Sequence, residues 1–521
     1  MKNLLKTSIF ITIYFFLTFN TGFTQVSSEK IDSLVNYAMS KFNVAGVSVG
    51  VVKDGKIIHA KGYGVKSVDT NEPVNKHTNF AIASNSKAFT AAALAILVEQ
   101  DKLKWTDKVK HHIPEFKMYN AYVTENFNIQ DLLTHRSGLG LGVGDLMFFP
   151  DGADFTIDDL LSAFQHFEPV SAFRTKFDYD NLLYIVAGEV IKRVSGMTWE
   201  EFVAENIFKP LNMDNTYAAL SKIENRNNLA SAHTSEAKEL KVVPDFQDMI
   251  NGAAGGIYSN VDDICNWMQV HLNKGKFGDS LQHSLFTEAS LDEMWKLHTL
   301  MPVNKNPRYN SHFNGYGLGW GLSDIKGNMR VQHTGGLPGM LSKTTLIPDI
   351  NLGIIVLTNT SDDGAGIFSA VSQALVDEYL ELDNFEWVDK YAHYFKERRM
   401  KGDSVTELVW KTVKKAKDSH INEEDYIGVY KDKWFGKVEV YKNGKQLWFK
   451  SHRSPKLKGA MYYYNANTYA IKWEYKDMNA DAFAMFTLDE EGKAIGIKMK
   501  GISPNIDFSF DFHDLNLKRI K

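Results

Sequence analysis

Cysteine is almost absent from this chain: Cys265 is the single one in 521 residues. That excludes an internal disulfide framework, and no grouping of His, Cys and Asp has the spacing of a metal site, so neither a metal nor another cofactor is expected. A chain of this length buries enough apolar surface to fold without covalent staples. Cys265 itself, within Asp263-Ile264-Cys265-Asn266-Trp267-Met268, reads as a small buried helix residue. A dominant charge is lacking too. Lys and Arg number 59 against 63 Asp and Glu, a net charge of −4, which offers no handle for nucleic acid or an anionic membrane surface. Beyond the N-terminal run no second long apolar stretch follows, so the mature body is expected to be soluble, with no membrane contact beyond an export signal. No internal repeat or low-complexity tract appears. His111-His112 reads as part of a loop ahead of Pro114, and His135 as a histidine that satisfies backbone groups.

What is present begins with a leader. Met1-Lys2-Asn3-Leu4-Leu5-Lys6 is basic, and Ser8 to Phe19 is apolar but too short for a comfortable membrane span. Gly22 and Thr24 suit cleavage before Gln25, and the lack of cysteine nearby argues against a lipid anchor. Residues 1–24 are therefore expected to be a signal peptide and the protein to be exported, periplasmic or secreted. Apolar content of 44% and charged content of 23% are ordinary for a globular protein, and the length implies two or three domains.

Ser84-Asn85-Ser86-Lys87 opens the alanine-rich run Ala88 to Glu99, which has the composition of a buried helix. A serine at a helix start lies beside free backbone N–H groups, and a lysine three residues on falls on the same face, within reach of the hydroxyl. That is a nucleophile with a proton acceptor already aligned. The same Ser-x-x-Lys spacing recurs at Ser27/Lys30, Ser235/Lys238 and Ser323/Lys326, but only the Ser84 copy opens an apolar helix. The plainer alternative makes Ser84 a helix cap.

A helix is expected from about Ile31 to Phe42, then strands Val44–Val52 and Ile57–Gly64 joined by the turn Lys53-Asp54-Gly55-Lys56. Strands return at Met329–His333, Met340–Ile347 and Leu352–Asn359, followed by a helix from about Ala365 to Leu380. The expected class is α+β: an antiparallel sheet built from both ends of a domain over residues 25–382, flanked by helices, with a helical insertion from about Ala88 to Met268. Residues 383–423 read as a charged, partly helical linker with a solvated face. Short alternating strands over 424–521, with the hairpin turn Lys442-Asn443-Gly444-Lys445, read as a small all-β, barrel-like domain.

Two further patterns stand out: Tyr179-Asp180-Asn181 ahead of a helix from Leu182 to Val194, and His333-Thr334-Gly335-Gly336 after a strand. Together with Ser84/Lys87 they resemble the serine β-lactamase-like superfamily, in the branch of class C β-lactamases, D-aminopeptidases and family VIII esterases. Supporting stretches are Asp131-Leu132-Leu133-Thr134-His135-Arg136-Ser137-Gly138-Leu139, Phe208 to Met213, Gly255-Gly256-Ile257-Tyr258-Ser259 and Tyr316-Gly317-Leu318-Gly319-Trp320-Gly321. The C-terminal domain is similar to the lipocalin-like barrel appended to such hydrolases. Tyr258/Asn260 competes for the tyrosine motif, but order and flanking sequence favour Tyr179.

The resemblance implies a β-lactamase/transpeptidase-like fold and an acyl-enzyme on Ser84. Lys87 and a Tyr179 phenol shifted down by it would share the proton, with Asn181 holding Lys87. The backbone amides of Ser84 and Gly336 would form the oxyanion hole, with Thr334 and Gly335 binding substrate. His333 stands where many relatives carry lysine, and is expected to be half-charged near neutral pH. That substitution favours peptidase or esterase action on small peptide, D-amino-acid or ester substrates over true β-lactamase action. The competing class is a catalytically silent muropeptide- or protein-binding homologue. For the β-domain the readings are assembly into a homo-oligomer or a loop plugged into the cleft to restrict substrate size.

Overall fold

The computed structural model describes residues 26–235, 239–416, 422–477 and 479–521; the leader expected over residues 1–24 lies outside the described residues. An eight-stranded antiparallel sheet runs in the order Lys56–Gly64, Gly46–Lys53, Leu352–Thr358, Met340–Ile347, Asn328–Leu337, Gly321–Ile325, Asn314–Tyr316, Thr299–Leu300. The expected pairing of chain ends is present: Val49 lies opposite Val356, and Ile355 opposite Thr344. Asp54 and Gly55 both take positive φ, 51° and 74°, the geometry that lets a two-residue turn match the strands' twist. Leu352–Thr358 is buried along its whole length because both faces are covered. Ile354 and Val356 meet the helices Ser28–Lys41 and Asp363–Tyr379, while Ile355 and Leu357 face the helical region and the helix Val261–Leu272. Cys265 sits wholly buried on that last helix.

Several elements differ from the sequence reading. Thr299–Leu300, Asn314–Tyr316 and Gly321–Ile325 extend the sheet, and two to five residues carry too few alternations to announce a strand. His111 and His112 end a short helix, Val109–His112, rather than lying in a loop. Much of the segment read as a linker is one 29-residue helix, Trp387–Lys415. It packs on the helix Asp363–Tyr379 and reaches the barrel strand Lys458–Asn465, burying Val388 and Val409. Its charge run is the solvent face of a helix whose apolar face is sparse, so the periodicity is weak.

The C-terminal strands close into an eight-stranded barrel, Gly428–Asp432 pairing with Leu517–Arg519 to complete the ring. Tyr430, Val438, Leu447, Phe449, Ile471 and Phe486 are buried within it, so side chains fill the interior. The barrel is docked on the helical region: Arg453 bonds Asp159 at 2.8 Å and Asp154 at 2.7 Å, and Lys456 bonds Asp151 at 2.6 Å. Rings Phe155/Phe435, Phe167/Trp434 and Phe149/Phe510 meet across the same seam.

Helix Ser86–Glu99 is the hub of the helical region, buried from Ser86 through Leu97. Phe89 stacks on Trp267 at 4.0 Å and meets Phe208 edge-on at 5.7 Å. Phe89→Ala is expected to cost about 3–5 kcal/mol, read as a lowered urea midpoint; a loss under about 1 kcal/mol would show that this helix is not the hub.

Candidate active site

Ser84 lies in a 3₁₀ turn, Ala83–Asn85, immediately ahead of the buried helix. The helix caps at Asn85 with no side-chain cap bond, so the reading of Ser84 as a cap does not hold. The turn is fixed from outside. Asn85 donates to Ser342 Oγ at 2.8 Å, Ser342 Oγ donates to the Ile82 carbonyl at 2.6 Å, and Ser86 Oγ accepts from the Ile257 amide at 3.1 Å. Ala83 takes φ 48°, a left-handed conformation that a β-carbon disfavours and that the surrounding bonds hold in place.

Lys87 is wholly buried. Its Nζ donates to Ser84 Oγ at 3.0 Å, Asn181 Oδ1 at 2.7 Å and the Ala254 carbonyl at 2.8 Å. Burial drives its pKa down to about 7, against the pull of Asp145 and Asp180 in the other direction. Asn181 starts the helix Leu182–Ser195 but makes no cap bond; its amide donates instead to Asp145 Oδ2 at 2.8 Å. Asp180 takes the capping contact, accepting from the Leu183 amide at 3.4 Å.

Tyr179 departs from expectation. The Lys87 ammonium lies 4.8 Å from its ring centroid, yet burial pushes the phenol well above its ordinary pKa and the Ser84 hydroxyl only partly offsets this. It is a neutral phenol, not a phenolate. His333 departs as well. Its Nδ1 is 2.6 Å from the Thr334 carbonyl, which can only accept, so Nδ1 carries the proton and Nε2 accepts from Tyr316 Oη at 2.8 Å. Burial lowers its pKa to about 3, with Lys87 adding to the effect. His333 is therefore neutral near pH 7, not half-charged. His135 satisfies a backbone group as expected, accepting the Asp180 amide on Nδ1 at 3.0 Å. It also packs its ring on Tyr179 at 4.2 Å and Tyr316 at 4.7 Å.

These residues open on a cavity of about 260 Å³ lined by Ser84, Tyr179, Asn181, His333, Thr334 and Gly336, with no lysine or arginine in its wall among the described residues. Asn328–Leu337 pairs with Gly321–Ile325 only as far as Gln332, which leaves His333–Leu337 with one unpaired edge beside Ser84. Gly335 sits apart from the cleft wall: a side chain there would overlap the Ile82 carbonyl, so its role is close approach of strand to turn. Tyr258 lies outside this cavity, and Asn260 caps the helix Val261–Leu272 by accepting the Asp263 amide at 3.0 Å. Sequence reasoning missed Asp145, Tyr316, Phe508 and Ser509. Tyr316 lay within a stretch already singled out. The others carry no local signal, because each reaches the site by a long-range contact.

A Ser-Lys pair under a Tyr-x-Asn turn, between an antiparallel sheet and a helical region, defines a serine β-lactamase/transpeptidase-like fold. The chain belongs to the Beta-lactamase family, whose model matches residues 31–376, and residues 411–519 match a domain of unknown function, DUF3471. Among named relatives it is similar to Unguisins hydrolase ungD' of Aspergillus campestris, 27% identical over 393 residues, covering 73% of this chain and 71% of that one. It is also similar to Protein flp of Staphylococcus aureus strain MW2, 26% identical over 341 residues, covering 65% of this chain and 64% of that one. Among solved structures the octameric penicillin-binding protein homologue from Pyrococcus abyssi matches 94% of this chain and 99% of its own, at 21% identity and a TM-score of 0.59.

Gly335→Ala tests the geometry. A methyl there must push the nucleophile turn from its strand, and labelling of Ser84 by a fluorophosphonate is expected to fall on the order of 10²-fold with the far-UV spectrum unchanged. Undiminished labelling would show that the turn tolerates the shift.

Proposed function

We propose that this protein is an exported serine hydrolase that forms an acyl-enzyme on Ser84, acting on small peptide, D-amino-acid or ester substrates. The observation that carries the reading is the buried Lys87 amine, 3.0 Å from Ser84 Oγ, with its pKa lowered to about 7. Half of it is then neutral near pH 7 and able to take the serine proton. Ser84 Oγ bonds to the substrate carbonyl carbon as its proton passes to Lys87, and the carbonyl electron pair moves onto oxygen beside the amides of Ser84 and Gly336. Collapse of that intermediate expels the leaving group, which takes a proton from the Tyr179 phenol, and the proton on Lys87 restores the tyrosine. Water then deacylates by the same route in reverse.

A neutral His333 and a cleft wall without lysine or arginine among the described residues put no cation in the wall beside Ser84, which favours neutral ester and amide substrates over penicillins. Arg398 and Arg399 line only the adjoining cavity, which shares Gly336 and Leu337. The unpaired edge of His333–Leu337 suits an extended backbone laid alongside it. The naming of a relative as a hydrolase supports the reaction class. The basic, then apolar start of the chain supports export.

Three outcomes test the reading. A fluorophosphonate is expected to add once per chain, at Ser84, and not to Ser84→Ala, as read by intact mass; a folded protein that takes no adduct would favour the silent-binder alternative. The labelling rate is expected to rise with pH through a midpoint near about 7, because the reacting form has Lys87 deprotonated. Tyr179→Phe is expected to keep phosphonate labelling, since fluoride leaves without a proton. The same variant should lose about 10²–10⁴-fold in turnover of alkyl esters or amides, and normal turnover would remove Tyr179 from the proton path.

A further inference from the structure

The barrel enters the active site through the segment between its last two strands. Phe508 lays its ring edge-on to Tyr179 at 5.8 Å and packs on Gly142, whose φ of 70° and lack of a side chain permit the approach. Behind it Ser509 Oγ donates to Asp145 Oδ2 at 2.7 Å. The same carboxylate oxygen takes the Asn181 amide at 2.8 Å, and Asn181 Oδ1 takes the Lys87 ammonium at 2.7 Å. Asp511 accepts the amides of Gly144 at 2.7 Å and Leu146 at 3.0 Å, gripping the backbone on both sides of Asp145. Asp145, Asn181, Ser509, Asp511 and Lys87 are all buried, and Asp145 Oδ1 has no partner among the described residues.

We propose that Ser509 and Asp511 of the barrel are positioning residues for Lys87: through Asp145 and Asn181 they hold the amine against Ser84 and set its proton affinity. The active site is then complete only with the barrel docked. The catalytic meaning of this network rests on the reading of Lys87 as proton acceptor; the network itself does not.

The direction of the effect follows from the charges. Burial raises the Asp145 pKa well above the carboxylate range, and the Ser509 and Asn181 donors oppose that by favouring the anion. The Asp145 anion in turn favours the Lys87 ammonium. Removing the Ser509 hydroxyl therefore makes Asp145 more readily protonated and lowers the Lys87 pKa. The other groups around this chain are Asp180, which Lys87 and Asp145 both sense, Tyr179 and Tyr184, whose rings face the Lys87 ammonium, and the neutral imidazoles of His135 and His333. On the barrel side are Asp507, which accepts the Ser509 amide, and Asp514, which acts on Asp511.

Lysine-selective ¹³C labelling of the full-length protein reads the Lys87 titration directly, with the resonance assigned by its loss in Lys87→Arg. Ser509→Ala is expected to move the midpoint down by about half a pH unit or more, and Ser509→Thr, which keeps the hydroxyl, to restore it. Ser509→Val has the shape of the threonine variant without the hydroxyl, and gives the same comparison where the alanine variant unfolds. A midpoint that is unchanged or rises in the non-hydroxyl variants overturns the proposal even if phosphonate labelling falls, since a loosened barrel admits water and relieves the burial that lowers this pKa, moving the midpoint up and not down. A midpoint that moves in a protein taking no phosphonate sustains the network and overturns the hydrolase reading, so the two fail separately.

Discussion

The structure depends on keeping one ammonium out of water. Lys87 lies at 0% exposure in the core of an alanine-rich helix, and taking such an ion from water costs several kcal/mol unless its donors are matched. Three acceptors, Ser84 Oγ, Asn181 Oδ1 and the Ala254 carbonyl, match its three protons. The lowering of its pKa to about 7 corresponds to destabilisation of the charged form on the order of 5 kcal/mol. The unfolded chain holds this proton up to the ordinary lysine range, whereas the folded chain releases it near 7. Folding therefore carries that cost in full below about pH 7 and sheds it as pH rises toward 10.5. A group kept at such a cost is a functional candidate, and here it shares a hydrogen bond with the candidate nucleophile Ser84.

Holding that amine recruits the whole chain. Its acceptors come from the nucleophile turn, the start of the helix Leu182–Ser195 and the short helix Gly252–Gly255. The turn is pinned by Ser342 from the sheet, and the Asn181 amide by Asp145 from the 3₁₀ turn Asp145–Met147, whose start the barrel grips at Gly144 and Leu146. The two-ended sheet is what makes this geometry reachable: pairing Val47–Lys53 with Leu352–Thr358 brings the C-terminal half of the domain back beside Ser84. Small residues sit where backbones must meet, Gly335 under the Ile82 carbonyl and Gly142 under Phe508.

Local chemistry was legible in the sequence. The Asp54-Gly55 turn, the alanine-rich helix and the Ser84/Lys87 pair can be read because each depends on spacing or propensity over a few residues, whereas Tyr179/Asn181 and His333 were read through the family resemblance. The all-β, barrel-like character of the C-terminal domain was legible in its alternation and its Asn443-Gly444 turn, but the closure by Gly428–Asp432 on Leu517–Arg519 was not. Asp145 and Ser509 could not be found this way: they meet across 364 residues, and neither sits in a pattern. The protonation states were misjudged for a related reason. Proximity to Lys87 suggests an acidified Tyr179, and residue type suggests a half-charged His333, but burial is the largest cause of both shifts. Burial is a property of the assembled fold, not of neighbours in sequence.

Among the described residues the cleft wall then carries no lysine or arginine, and burial holds the Asp507 carboxyl in it above its usual range. With Tyr179 a phenol and His333 an imidazole bonded at both nitrogens, the wall offers dipoles and backbone edges in place of cations. On the proposed reading, an oxyanion in such a site is stabilised by amides already pointed at it, and those need no reorganisation when charge develops. A cation beside Ser84 would also lower the pKa of Lys87 further and move its protonated fraction away from neutral pH. A lysine at position 333 would add such a competing charge, whereas the buried, neutral His333 adds none. On the proposed reading, the same residue then bears on both the charge of the cleft and the pH at which Lys87 can take the Ser84 proton.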